Sequence, residues 1–274
     1  MIGLFLIAFS AGLRADNSSA TSIPIGLLVP QEEADAASLR QGALLGIEHA
    51  NELAGAQLRL VVRGRTGQWG TEGDEAAVLA SDEAVAAIIA PPAGIATHQI
   101  LQVAGRTRMP VVSLCPDSSV TGTGLPWMVR IAPRTDEEAR IIFAGLSDAP
   151  SEKFSRWSAL VPAERPGREI SRDLFAAANA VGCLLDEPIR VPTEPGEWTR
   201  MIERVLASQS QAILLWDDPV TAGRLARALR EAGFKGLMSG PGRLRSAAFL
   251  CAAGNAAEGM VVPAMIPAAE SEPE

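Results

Sequence analysis

The chain has 274 residues, of which 47% are hydrophobic and 20% charged, and it carries a formal net charge of −8. That length accommodates two lobes of ordinary domain size, and the balance supports packed cores rather than disorder. Net acidity without a basic run argues against a nucleic-acid partner, and the absence of tyrosine with only 4% aromatics weakens any case for stacking bases or sugars.

Residues 3–13 form an apolar stretch about as long as the hydrophobic region of a signal peptide and too short to span a bilayer. Ser18-Ser19-Ala20 offers a small-x-small cleavage site. A signal peptide over residues 1–20 is expected, although no Lys or Arg precedes the apolar run. A core helix is the competing reading of the same stretch. From residue 23 strands and helices alternate. Strands are expected at 23–29, 58–62, 85–90 and 111–114, and helices at 38–53, 72–81 and 97–105. In the first helix Leu44, Ile47 and Ala50 share one side. This rhythm predicts a parallel sheet with helices on both faces. Residues 127–131 read as the first crossover between lobes.

Asp136 is placed as the cap of a helix running to residue 146. A second alternating series opens with a strand at 157–161, a helix at 170–181 and a strand at 184–191. Trp198, Met201, Ile202, Val205 and Leu206 then recur at helical spacing. Residues 212–216 are a continuous apolar run, as expected of a strand covered on both sides. Ala222, Leu225, Ala226 and Leu229 repeat the helical spacing, and Gly233 follows as a stop. A strand at 259–262 is expected to return the chain to the first lobe, ahead of a Pro- and Glu-rich tail. The reading is α/β, with two Rossmann-like lobes of parallel sheet. Lobe one spans 21–133 and lobe two 134–258. Residues 259–274 form the return strand and tail.

Chemistry-bearing residues are sparse. Cys115, Cys183 and Cys251 are far apart with no CxxC pair, and all three are expected as buried thiols. His49 and His98 have no acid or cysteine at ligand spacing, so neither a metal nor another cofactor is expected. Cys115 lacks a neighbouring histidine to act as base. No G-x-S-x-G or phosphate-binding glycine loop occurs in a strand-turn-helix context. Nothing therefore supports an enzyme. Asp217-Asp218, after Trp216, either face a ligand at a strand's carboxyl end or cap the helix at Pro219. Arg65 and Arg168 read as solvated charges.

The succession of motifs from residue 23 to 262 resembles the type I periplasmic binding proteins, and in particular the leucine/isoleucine/valine-binding family of bacterial ABC importers. The likeness rests on IGLLVP, on VAAIIAPPAGIATHQI, on MPVVSLCPDSS, on MVRIAPRTDEEA and on the closing AAEGM. The resemblance implies a periplasmic or secreted solute-binding protein. It would close by a hinge around a small polar ligand, amino-acid-like or amide-like, and deliver it to an ABC permease in the inner membrane. Ligand contacts are then expected from Ala93, Gly94 and Ile95, from Pro116, Asp117 and Ser118, from Trp216 and Asp217, and from Gly242. Three of these depart from the family. Gly94 aligns with a carboxylate-binding serine, Asp117 lies near a threonine position, and Gly242 takes the place of the ammonium-binding acid. Branched-chain amino acids are therefore not expected to bind. The rival expectation is a sensory or protein-interaction module with a degraded pocket. The family also continues beyond this length, so apolar surface on lobe one is expected to be uncovered and open to self-association or to a partner.

Overall fold

The computed structural model describes residues 22–29, 36–64, 71–147, 154 and 156–264. The expected signal segment, Arg65 and the last ten residues lie outside these. The first half builds a parallel five-stranded sheet. Its strands are β1 (Ile23–Leu28), β2 (Leu58–Arg63), β3 (Ala87–Ala90), β4 (Val111–Ser113) and β5 (Met128–Arg130), in the order β2-β1-β3-β4-β5. Helices α1 (Ala36–Ala54), α2 (Thr71–Ser81), α3 (Gly94–Thr107) and the short α4 (Ser118–Thr121) connect them. The segment expected to cross between lobes, 127–131, first supplies β5 as an edge strand. The crossing itself is made at Ala132-Pro133, between β5 and α5 (Thr135–Ser147).

The second sheet is also parallel, in the order β10-β9-β6-β7. Its strands are β6 (Arg156–Pro162), β7 (Leu184–Leu185), β8 (Ile189–Val191), β9 (Ala212–Leu215) and β10 (Leu237–Ser239). The connecting helices are α6 (Arg165–Val181), α7 (Trp198–Ala207), α8 (Pro219–Glu231) and α9 (Ala247–Ala253). The single strand expected at 184–191 is two. Both β7 and β8 pair with β6, at Trp157 and at Leu160–Pro162 respectively. Pro188 has no N–H to offer a ladder, so the pairing is interrupted there.

Strand β9 shows why its apolar run is continuous. Ile213 and Leu215 pack against Trp198, Met201, Val205, Leu225 and Leu229 of α7 and α8. Leu214 and the following Trp216 pack against Phe143, Trp157 and Leu174 on the other face. Side chains alternate across a strand, so a strand covered on both faces must be apolar at every position.

Four local expectations need correction. Residues 259–262 do not pair with the first sheet. Val261 forms a single parallel bridge with Ser239 at the edge of the second, held by Val261 N–H to Met238 O and the Ser239 hydroxyl to Val261 O. Asp136 does not cap α5. It lies in the first turn and pairs with Arg134, while the Glu137 carboxylate accepts the Arg134 N–H. Of the three cysteines only Cys115 is buried; Cys183 is half-buried and Cys251 exposed. On α1 the expected apolar side buries only Ile47, and Leu44 stands exposed.

Candidate functional site

The carboxyl ends of both parallel sheets open on one cavity of about 2200 Å³. Loops at the ends of parallel strands form such crevices because the strands stop there and the helices start. Of the nine residues expected at a ligand, eight line this cavity: Ala93, Gly94, Ile95, Pro116, Asp117, Trp216, Asp217 and Gly242. Ser118 does not; it opens α4, where its carbonyl accepts from Gly122 N–H and from the Thr121 hydroxyl.

On the first sheet's side, α3 begins at Gly94 with Ala93 as an N-cap that offers no side-chain bond. Its end is nonetheless faced by an anion. Asp117 caps α4 with Oδ1, 2.8 Å from Ser119 N, and Oδ2 lies 3.2 Å from where a Cβ at Gly94 would stand. Glycine there admits this approach. The same Oδ2 is 3.7 Å from Nε2 of His98, which sits in the second turn of α3 rather than at its start and meets the Ser119 hydroxyl at 2.9 Å. Asp117 thus already supplies negative charge beside a helix N-terminus, where a ligand carboxylate would otherwise be favoured. Cys115 is buried beneath this loop. Burial pushes its thiol up to about 11, so it stays protonated and un-nucleophilic at neutral pH.

On the second sheet's side the two adjacent aspartates divide the roles left open for them. Asp218 is exposed and caps α8, accepting from Val220 N and Thr221 N at 3.0 Å each. Asp217 is buried, faces the cavity and accepts Asp218 N–H at 2.8 Å with Oδ1. Burial, with Asp218 adding to it, pushes the Asp217 carboxyl up to about 6. Trp216 is only 1% exposed and belongs to the core beneath, reaching the cavity from its floor.

Two site residues were not singled out in the sequence. Glu138, in the first turn of α5, is buried and accepts Gly242 N–H at 2.9 Å with Oε1. A Cβ at Gly242 would lie 3.1 Å from that oxygen and 3.0 Å from Pro263 O. No acid fits at 242, and a carboxylate reaches the same place from another helix. Burial raises the Glu138 pKa above its usual range. Arg243 follows Gly242; its Nε and Nη2 both donate to the Asp217 carbonyl, at 3.2 and 2.9 Å. Burial lowers the Arg243 pKa, while Glu138 and Asp217 oppose that shift. The signals were present as an acidic first turn after a crossover and a cation after Gly-Pro-Gly at a strand end. Arg168, by contrast, is exposed on α6. Among the described residues no group of His, Cys, Asp and Glu could hold a metal ion.

A two-sheet α/β molecule with one cavity between the carboxyl ends of its sheets has the architecture of cleft-binding proteins. The sequence matches the model of the periplasmic binding protein family over residues 22–274. The chain belongs to that family. Among solved structures it is similar to the leucine-binding protein LivK from Thermotoga maritima, at 17% identity and a TM-score of 0.74, over 88% of this chain and 69% of that one. It is similar to LivJ from Streptococcus pneumoniae, determined with isoleucine, at 16% identity and 0.72, over 85% and 68%. A solute-binding protein of an ABC transporter from Rhodopseudomonas palustris, determined with 3,4-dihydroxybenzoic acid, matches at 18% and 0.69, over 87% and 67%. At these identities the likeness establishes the type I periplasmic-binding-protein fold. No curated protein matches the sequence.

Proposed function

We propose that this protein is the extracytoplasmic solute-binding component of an ABC importer, capturing a small polar solute between its two lobes. The observation that carries this reading is the cavity. It joins the carboxyl ends of both sheets and is lined by Asp117 from one side and by Glu138, Asp217 and Arg243 from the other. Its volume of about 2200 Å³ exceeds the roughly 300–1,000 Å³ that encloses a small ligand. Closure about the Ala132-Pro133 crossing would bring the two walls onto one solute and exclude water. The loaded, closed form would then dock on a membrane permease. The ligands named for the similar structures, an amino acid and an aromatic acid, support a small-solute role without choosing between them. Among the described residues no helix is long and apolar enough to cross a membrane, which is compatible with an exported protein. The test is small-angle scattering and mass spectrometry on protein recovered from the exporting cell. The expected result is a co-purified small solute and a radius of gyration that falls when it is restored. A protein that carries no solute and never contracts would reject the role.

This reading excludes leucine, isoleucine and valine. Asp117 stands at the anion position of α3 and would repel a ligand carboxylate, and the Arg243 guanidinium stands beside the carboxylate that Glu138 brings to the ammonium position. Calorimetry at millimolar amino acid should show no binding. Micromolar affinity for any of the three would overturn it.

A further inference from the structure

The wall of the cavity built by α5, the start of α8 and the turn at Gly242–Leu244 carries an unusual set of unspent hydrogen-bonding atoms. Arg243 uses Nε and Nη2 on one backbone carbonyl, and its Nη1 has no partner among the described residues. Glu138 uses Oε1 on Gly242 N–H, and Oε2 accepts nothing from the described residues. Asp217 uses Oδ1 on Asp218 N–H, and no backbone or cationic group of the described residues donates to Oδ2, the Asp218 carboxyl being the other side chain that acts on it. Both carboxylates act electrostatically on Arg243, yet neither closes into an ion pair with it among the described residues. One donor and two acceptors are therefore left on residues that line the same cavity.

Such a wall complements a group that presents an acceptor beside donors. A carboxylate has acceptors only, and an ammonium has donors only; a carboxamide or urea has a carbonyl oxygen next to N–H groups. We propose that the solute recognised here carries a carboxamide or urea group, whose oxygen accepts from Arg243 and whose N–H groups donate to Glu138 and Asp217. This rests on the solute-binding reading above and narrows it to a ligand class. A carboxylate at this place would meet two like charges. An ammonium would meet the guanidinium and leave it unpaired, a costly state for a charge once the cleft closes.

Protonation sharpens the distinction. The titratable and charged groups that line the cavity are Glu138 on α5, Asp217 and Asp218 at α8, Arg165, Glu169 and Asp173 on α6, Arg243 and Arg245 after β10, and Asp74, His98, Arg106, Cys115 and Asp117 from the first sheet's side. Asp218 is spent as a cap, Glu169 pairs with Arg165, Asp173 with Arg172, and Cys115 titrates near 11. The carboxyl pushed up to about 6 is Asp217. As a carboxylate it accepts an amide N–H more strongly than as a neutral acid, so amide affinity should fall as pH drops through about 6. A carboxylate ligand would bind more tightly as Asp217 gains its proton.

The test is a thermal-shift and calorimetric series with matched probes on one frame. These are 4-hydroxybenzamide, 4-hydroxybenzoate and 4-hydroxybenzylamine, then propionamide, propionate and propylamine, and urea. The expected result is that the amide of a set binds at least about 100-fold more tightly than its acid or amine, as for a site built to read a polar group. Glu138→Gln and Asp217→Asn keep the oxygens that hold Gly242 and Asp218 but turn the free acceptors into donors. Together they should weaken the amide at least tenfold and strengthen the carboxylate, an inversion that a merely structural role would not produce. An acid or amine that binds the parent protein as well as its amide overturns the proposal and leaves solute binding standing. So does amide binding indifferent to both substitutions. If no probe of any class shifts the folded protein and no solute co-purifies, the solute-binding reading falls and the proposal with it.

Discussion

The two sheets are alike in topology and unlike in how they are covered. The second is packed on both faces. One core joins β9 to α7, α8 and α9, and another joins the opposite face to α5 and α6. Among the described residues the first has one large core, from Leu28, Leu79, Ile88, Ile100 and Val111, under α2 and α3. On α1 only Ile47 is fully buried, and Leu44, Leu45 and Leu53 are exposed. A parallel sheet depends on cover from both faces. The difference therefore locates the rigid half of the molecule in the second lobe and the weakly anchored helix in the first. It also places the costliest polar groups, Glu138 and Asp217, on the wall with the strongest scaffold behind it.

The largest expected effect tests that rigid half. Trp157 is fully buried and meets Phe143 edge-to-face, with ring centroids 5.1 Å apart. Trp157→Ala should cost about 3–5 kcal/mol, the range for deleting a buried large aromatic. Denaturant unfolding would measure it. A loss below about 1 kcal/mol would mean that the core around α5 and α6 is not the structural anchor.

Next in size is the cleft wall itself. Burial raises the Asp217 carboxyl from its ordinary range near 3.8 to about 6 in the folded chain. Folding therefore favours its protonated form. The stability this lends is full below about pH 4 and is lost as pH rises through about 6. Above that, the ionised group costs roughly 2–3 kcal/mol. Asp217→Asn keeps the acceptor for Asp218 N–H and removes the charge. It should raise the melting temperature at pH 8 and leave it unchanged at pH 4. Equal effects at both pH values would separate the substitution from ionisation.

A smaller effect is expected at the start of α8. Asp218 accepts from two backbone N–H groups that the helix leaves unpaired. Asp218→Ala should cost about 1 kcal/mol. Its counterpart in the first sheet, Asp117→Ala, should cost less, because the helix it caps has only 4 residues. A larger loss at Asp117 would reverse the ranking of the two lobes.

Much of this fold can be read from residue spacing. Trp198, Met201, Ile202 and Val205 are buried along one helix face, and 212–216 is covered throughout, because period and apolarity there answer to one constraint. The α1 face misleads for the opposite reason. Amphipathic spacing reports what a helix could bury and not what lies against it. The cavity lining is legible where strand ends point to it, as at Gly94, Asp117 and Asp217. Glu138 and Arg243 escape because their roles depend on tertiary juxtaposition. One reaches across from α5 to a glycine N–H on a distant turn, and no local pattern encodes that. The approach of the second Asp117 oxygen to α3 likewise exists only in the folded chain.

The smallest expected effect bears on the weak side of the comparison. Leu53, near the end of α1, is 88% exposed. A leucine that stays in water in the folded state loses no burial when it is made polar. Leu53→Ser should therefore change stability by no more than about 0.5 kcal/mol. Hydrogen exchange should at the same time show α1 amides opening more readily than those of α8, whose Ala222, Leu225, Ala226 and Leu229 are all buried. A loss above about 1.5 kcal/mol would mean that Leu53 is covered in solution. Sedimentation of the two proteins would show whether a second copy provides that cover: the parent would sediment as a larger species and the variant as a monomer. If both sediment as monomers and the loss persists, the cover comes from within the chain, and the asymmetry between the two sheets is smaller than the described residues make it.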